Sequence, residues 1–386
     1  MDGTHHRLCS TSAARSVRAH PRVKQIPPMI SDAPDRWSRM QRWLVRLVAL
    51  LLLLFAIEVL KTGVGVLAPS LRTWLPVLVR GDLSALGTSW LAAYLLLNGS
   101  AVAAFALTLF NEGLLEAPQL LLMIFGSRLG AAGIVLLLGL FDVLQQRTLT
   151  ARRASELGTL TFLVTHTVGI PAMLLARLWM HGAPFRHHFE TTDSVLRALP
   201  MPSFVERMAD TLLVTTGPLA GIVMAIGLLM GSLRLFHAVF SEADVERLRE
   251  RFGHALHSRW WAFGVGMGLT ALTTSIALSL GVIVPIYNRG LLRRREIIPY
   301  ILGANIGTLL DTVLISLFIE RAGGAEVVLL TMAMTVGMTL LPLVLMGLYR
   351  ALMDIVLKRI VSGRWAFLLF LLSLLLAPLA LITFGW

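Results

Sequence analysis

The chain has 386 residues, of which 56% are hydrophobic and 15% charged, with mean hydropathy +0.75 and a formal net charge of +12. A soluble domain cannot hide so much apolar surface, so the composition indicates a polytopic membrane protein, and long apolar runs make it all-α. The basic excess then marks cytoplasmic loops rather than a nucleic-acid surface, and the single cysteine, Cys9, excludes an intrachain disulfide or a cysteine metal site.

Residues 1–42 are basic, rich in Ser, Pro and His, and carry no apolar run; they read as a disordered cytoplasmic tail. Apolar runs of about 20 residues, enough to span a bilayer, follow near 44–66, 117–143, 157–180, 211–238, 297–319, 325–348 and 366–386. Two further runs, 87–110 and 260–287, each directly precede one copy of an internal repeat. Phe110–Ala132 reads FNEGLLEAPQLLLMIFGSRLGAA, and 177 residues later the chain reads YNRGLLRRREIIPYILGANIGTL. In that register Asn111 matches Asn288, Gly126 and Gly130 match Gly303 and Gly307, and Arg128 matches Asn305.

Charge decides how the two extra runs cross. As ordinary spans they would scatter the arginines over both faces. As re-entrant hairpins they place Arg147, Arg152, Arg153, Arg289–Arg295, Arg350, Lys358, Arg359 and Arg364 on the cytoplasmic side, and Glu112, Glu116, Glu320 and Glu326 outside. The exit turns then lie on opposite faces, which agrees with their opposite charge: Glu112 and Glu116 become Arg289 and Arg293. An interfacial arm is expected before each hairpin, around Ser70–Val79 and after the Ser241–Asp244 capping box.

The expected plan is therefore repeat 1 over 43–180, an external linker at 181–210, an inverted repeat 2 over 211–350, and a cytoplasmic loop with an extra C-terminal transmembrane helix over 351–386. Each repeat holds a re-entrant hairpin and a helix broken at its glycines. The N-terminus is cytoplasmic and the C-terminus external, in a bacterial-type inner membrane. Inverted repeats with discontinuous helices meeting at the midplane are the architecture of secondary transporters.

Polar residues at membrane depth are the candidates for the site. The first hairpin is interrupted by Asn98, Gly99 and Ser100, the second by Thr273, Thr274 and Ser275. Irregular backbone at that depth is tolerated where it lines a cavity or packs on protein; the plainer reading is that each hydroxyl bonds a carbonyl one turn back. Gly126/Gly130 and Gly303/Gly307 form GxxxG pairs that admit a close neighbour. Asn305 and Thr308 lie between and after the second pair. Arg128 is too far from either helix end to snorkel, and Asp311, equally deep, is the obvious partner. Either these two pair across the repeat interface, or Arg128 holds an anionic substrate. No catalytic or nucleotide-binding motif occurs, so no enzyme is expected. His181, His187, His188 and Glu190 lack the spacing of a metal site, and none is expected. His166 and Arg177, in one span, read as packing residues.

GANIGT at Gly303–Thr308, about thirty residues after a hydroxyl-rich hairpin, resembles the sodium–phosphate cotransporter family, over about 44–350. The resemblance implies two inverted repeats, each with a Gln-Ser-Ser-Ser hairpin and a Gly-Ala-Asn-Ile-Gly-Thr helix break, and sodium-coupled uptake of inorganic phosphate by alternating access. Sodium, as the coupling ion, would lie near Ser275, Asn305 and Thr308; no other cofactor is implied. The partners are phosphate or another small oxyanion and the lipid bilayer, with a second copy of the chain left open. This chain departs from the pattern: Leu97-Asn98-Gly99-Ser100 and Thr274-Ser275-Ile276-Ala277 replace the hairpin signatures, and Gly126-Ser127-Arg128-Leu129-Gly130-Ala131 replaces the first helix motif. Two alternatives follow from the departures: a sodium-independent anion transporter with Arg128 as fixed countercharge, or a transport-inactive membrane scaffold of the same fold.

Overall fold

In the computed structural model the described residues are 39–146, 149–182, 201–239, 258–276, 279–280, 283, 294–318 and 323–385. They are helical throughout, with no strand among them. Among the described residues seven helical segments are long and apolar enough to cross a membrane: Trp43–Leu78, Ala117–Leu137, Glu156–His181, Pro218–Leu235, Glu296–Ser316, Gly324–Val344 and Trp365–Phe384. These correspond one for one with the seven expected spans, and the chain is an integral membrane protein.

The helices in order are α1 (Arg39–Leu78), α2 (Asp82–Leu96), α3 (Gly99–Asn111), α4 (Ala117–Gln146), α5 (Leu149–His181), α6 (Ser203–Thr216), α7 (Pro218–Val239), α8 (Arg259–Thr273), α9 (Arg294–Gly307), α10 (Leu309–Ser316), α11 (Gly324–Val344), α12 (Met346–Ser362) and α13 (Arg364–Phe384). The helices at the centre are the polar-interrupted ones: 83% of the Glu296–Ser316 window and 78% of the α4 window are buried, against 11% of α13. Leu368, Leu369, Leu372 and Leu376 of α13 are exposed, the face that acyl chains cover in a bilayer.

The run 87–110 is split at Leu97 and Asn98 into α2 and α3. Leu97 takes a left-handed backbone (φ 50°), and Asn98 caps α3, its Oδ1 accepting from the N–H of Ser100 at 3.0 Å and of Ala101 at 3.1 Å. In the second copy Thr274 has φ 49° and ends α8. Among the described residues these are the only non-glycine positions with positive φ, and they are equivalent in the repeat register.

The glycine pairs repeat the same contacts. A Cβ on Gly126 would strike the Leu86 carbonyl, and one on Gly303 the Phe263 carbonyl; Gly130 lies over the Trp90 carbonyl and Gly307 over that of Met267. Leu86 and Phe263, and Trp90 and Met267, are again register mates. So α4 lies on α2 as α9 lies on α8, backbone against backbone, in the way small-residue pairs allow.

Several expectations change. The glycines do not break the first copy, because α4 runs unbroken through Gly126–Gly130. In the second copy the interruption is the single residue Thr308, which keeps helical dihedrals and its N–H bond to the Ala304 carbonyl at 3.1 Å. The glycines are spent on close packing, which needs no break. The arm expected at Ser70–Val79 is instead the end of α1, whose helix continues through Pro69 and Pro76 because Leu71, Trp74, Leu75 and Leu78 prolong its apolar sides. Its counterpart after Ser241 lies outside the described residues. The span expected at 211–238 is cut by Gly217 (φ 82°) and Pro218, so that α6 ends there and α7 begins. The linker expected at 181–210 thus contains the start of α6, and the loop expected from 351 is the helix α12.

Candidate functional site

Packing fixes which way the polar side chains point. Gly126 and Gly130 press α4 on α2, so Arg128, about 200° round the helix from Gly126, is directed to the other side. On α9 and α10 the glycines face α8, and Asn305, Thr308 and Asp311 succeed one another at three-residue spacing on a different face.

There Arg128 meets Asp311. Nη2 of Arg128 donates to Oδ1 of Asp311 at 2.9 Å and also to Oγ1 of Thr312. Thr312 donates to the same Oδ1 at 2.9 Å, and Ser100, from the start of α3, donates to Oδ2. Both carboxylate oxygens are therefore satisfied, by groups from α3, α4 and α10. The side chains of Arg128 and Asp311 are 11% and 4% exposed, so each charge depends on the other for compensation at this depth.

Beside this network lies a cavity of about 30 Å³. Arg128, Thr165, Asn305, Thr308, Thr331 and Thr335 supply its polar lining, and Ile276, just past the left-handed Thr274, closes part of it. Oδ1 of Asn305 accepts from Thr165 Oγ1 at 2.9 Å, while its Nδ2 is buried without a hydrogen-bond partner. Nε of Arg128 is likewise buried and unpartnered. Thr308, Thr331 and Thr335 donate their hydroxyl protons to carbonyls of their own helices, at 2.9, 2.8 and 2.7 Å, which leaves oxygen lone pairs turned outward. The buried donors of this lining without a partner are Arg128 Nε and Asn305 Nδ2.

The sequence-predicted residues divide accordingly. Ser100, Arg128 and Asp311 form one cluster, and Arg128, Asn305 and Thr308 line one cavity. Asn98 caps a helix, and Gly99 allows α3 to touch α4, since a Cβ there would strike the Ser127 carbonyl. Thr273 donates to the Ser275 carbonyl at 3.3 Å, and Thr274 serves through its backbone; neither they nor Ser275 line the cavity. Of the three residues expected near a sodium ion, Asn305 and Thr308 lie at the cavity and Ser275 does not.

Sequence reasoning missed Thr165, Thr312, Thr331 and Thr335, which carry no signal beyond being hydroxyls in apolar helices. It also missed Glu58 and Lys61, buried in the first span and paired at 3.0 Å; neither lines the cavity. Arg177 pairs with Asp82, joining the end of α5 to the start of α2, and His166 stacks on Phe162 with ring centres 3.6 Å apart. No group of three or more metal-ligating side chains occurs among the described residues.

No curated protein and no solved structure matches the chain. A family model does match, over residues 228–383, and its description is Na+/Pi-cotransporter. The matched stretch begins in α7 and runs into α13, so it includes Asn305, Thr308, Asp311 and Thr312, while Ser100 and Arg128 lie before it. Through this second half, with its glycine-packed α8 and α9 and its polar α9–α10 face, the chain is similar to the Na+/Pi-cotransporter family.

Proposed function

We propose that the protein is a secondary transporter of a small oxyanion, inorganic phosphate first, which binds in the cavity between α4, α5, α9 and α11. The observation that carries this reading is that two residues lining the same cavity, Arg128 and Asn305, each hold a buried donor without a partner, Nε and Nδ2. A buried donor left unmade costs free energy that an acceptor ligand recovers, and a guanidinium with an N–H to spare suits an oxyanion better than a neutral solute. The adjacent carboxylate is already saturated by Arg128, Thr312 and Ser100, so it does not repel the anion as a bare charge would.

The family match over residues 228–383 supports phosphate as the substrate. The two copies insert in opposite senses, the first with α2–α3 as a re-entrant hairpin, and transport proceeds by alternating access with the N-terminus cytoplasmic and the C-terminus external. The constant register of the left-handed residues and glycine contacts supports a structural repeat; its inversion rests on the distribution of arginines. Sodium is the coupling ion of the leading version. A second version, in which Arg128 replaces a coupling cation, is favoured by one observation: its guanidinium is already bonded to Asp311.

Uptake of radiolabelled phosphate into proteoliposomes tests both. Saturable uptake driven by an inward sodium gradient supports the leading version, and uptake indifferent to sodium supports the second. Absence of flux for phosphate, sulfate and arsenate with and without sodium would leave a non-transporting scaffold and sink the proposal.

A further inference from the structure

We propose that Asp311, with Thr312 and Ser100, is a monovalent-cation site in which the guanidinium of Arg128 is the resident cation, tethered rather than bound. The assignment rests on the geometry of the cluster and holds whichever anion is carried.

The group touching Arg128 Nη2 is an oxygen cluster, one carboxylate Oδ1 at 2.9 Å and one hydroxyl, with Ser100 fixing the second carboxylate oxygen from α3. Carboxylate and hydroxyl oxygens are the donors that hard cations take. The single formal charge of Asp311 makes a monovalent cation the neutralising partner, and among the described residues Arg128 is the cation bonded to it. A small cation at the Nη2 position would meet Asp311 Oδ1 and Thr312 Oγ1 directly and complete its shell with water from the adjoining cavity.

The repeat shows that this arrangement exists on one side only. The register mates of Arg128, Asp311, Thr312 and Ser100 are Asn305, Ile134, Val135 and Ala277, none of them charged. Asn305 bonds Thr165 instead, and Ile134 is buried among apolar groups. The Arg128–Asp311 position thus carries both carboxylate and guanidinium, and its repeat-related counterpart, Asn305 with Ile134, carries neither, as expected of a site and its occupant. Both come from different copies, so the resident cation also ties α4 to α10.

The test removes the occupant and offers free cations. R128A, purified in detergent, is melted in sodium, lithium, potassium or N-methylglucamine chloride at one ionic strength. The expected result is a saturable rise in Tm of several degrees for R128A in sodium or lithium over N-methylglucamine, smaller in wild type and lost in R128A/D311N. R128Q, close to arginine in length, repeats the measurement, and R128K, which keeps a tethered cation, should show no larger shift than wild type. An unresponsive R128A overturns the proposal, as does an equal response in R128A/D311N. Failure to recover either R128A or R128Q in any of the four salts while R128A/D311N is recovered also overturns it, because a site open to free cations rescues its own carboxylate. Melting needs no transport, so the result stands apart from the fate of the phosphate reading.

Discussion

Arg128 and Asp311 were legible in the sequence because a charge far from both helix ends has so few ways to be tolerated that a partner of opposite sign is nearly compulsory. The structure supplies that partner at 2.9 Å. What could not be read were the hydroxyls around it: Thr312 and Thr165 look like any threonine bonding back into its own helix, and only tertiary contact shows Thr312 on the carboxylate and Thr165 on Asn305. Nor did Asn98, Thr273 and Thr274 announce that their roles are capping and backbone shape. Breaking a buried pair from one side leaves an uncompensated charge, at about 3–5 kcal/mol. In cation-poor buffer R128A and D311N should each destabilise by that order, and the double variant by less than their sum, with a coupling of about 1–3 kcal/mol. Chemical unfolding in detergent measures it, and strictly additive losses would remove the pairing. At Asn305 the free group is a donor, so N305D, which replaces it with an anionic acceptor while keeping an oxygen for Thr165, should abolish oxyanion binding and leave Tm within a few degrees of wild type.

Among the elements, the register of the repeat was readable to the residue, since glycine spacing survives where polar identity does not. The breaks were misread for the same reason. A GxxxG pair says that another backbone comes close, and says nothing about whether its own helix continues; α4 continues and α9 pauses at Thr308. The contacts distinguish glycines that matter from those that do not. G303A drives a methyl group into the Phe263 carbonyl, which as backbone cannot swing aside, and should cost about 1–3 kcal/mol through separation of α8 and α9. Gly227 of α7 has open space where its Cβ would lie, so G227A should be neutral or stabilising by about 0.5–1 kcal/mol from helix propensity. Equal losses at the two sites in thermal melts would contradict the packing role. At the α2–α3 junction, L97G should relieve about 1 kcal/mol of left-handed strain, read as a rise in Tm.

For the whole molecule, seven spans were visible because hydropathy over about 20 residues is a strong signal, whereas the cut at Gly217 and the continuation of α1 through two prolines depend on dihedrals that hydropathy does not encode. The proposed opposite insertion of the two copies would make Glu116 external and Lys358 cytoplasmic, and both are exposed. With Cys9 replaced by serine, E116C should react with an impermeant maleimide on intact cells and K358C only after permeabilisation; labelling of both from one side would contradict the inversion. The two copies then meet at the cavity, where Arg128 comes from the first and Asn305 from the second, and where the proposed function has substrate held by donors that the protein itself leaves unpaired. Phosphate uptake by wild type and N305D, reconstituted side by side under an inward sodium gradient and again without sodium, tests that most directly. Saturable uptake by wild type and background uptake by folded N305D is the expected result, and N305D carrying phosphate as wild type does would contradict it.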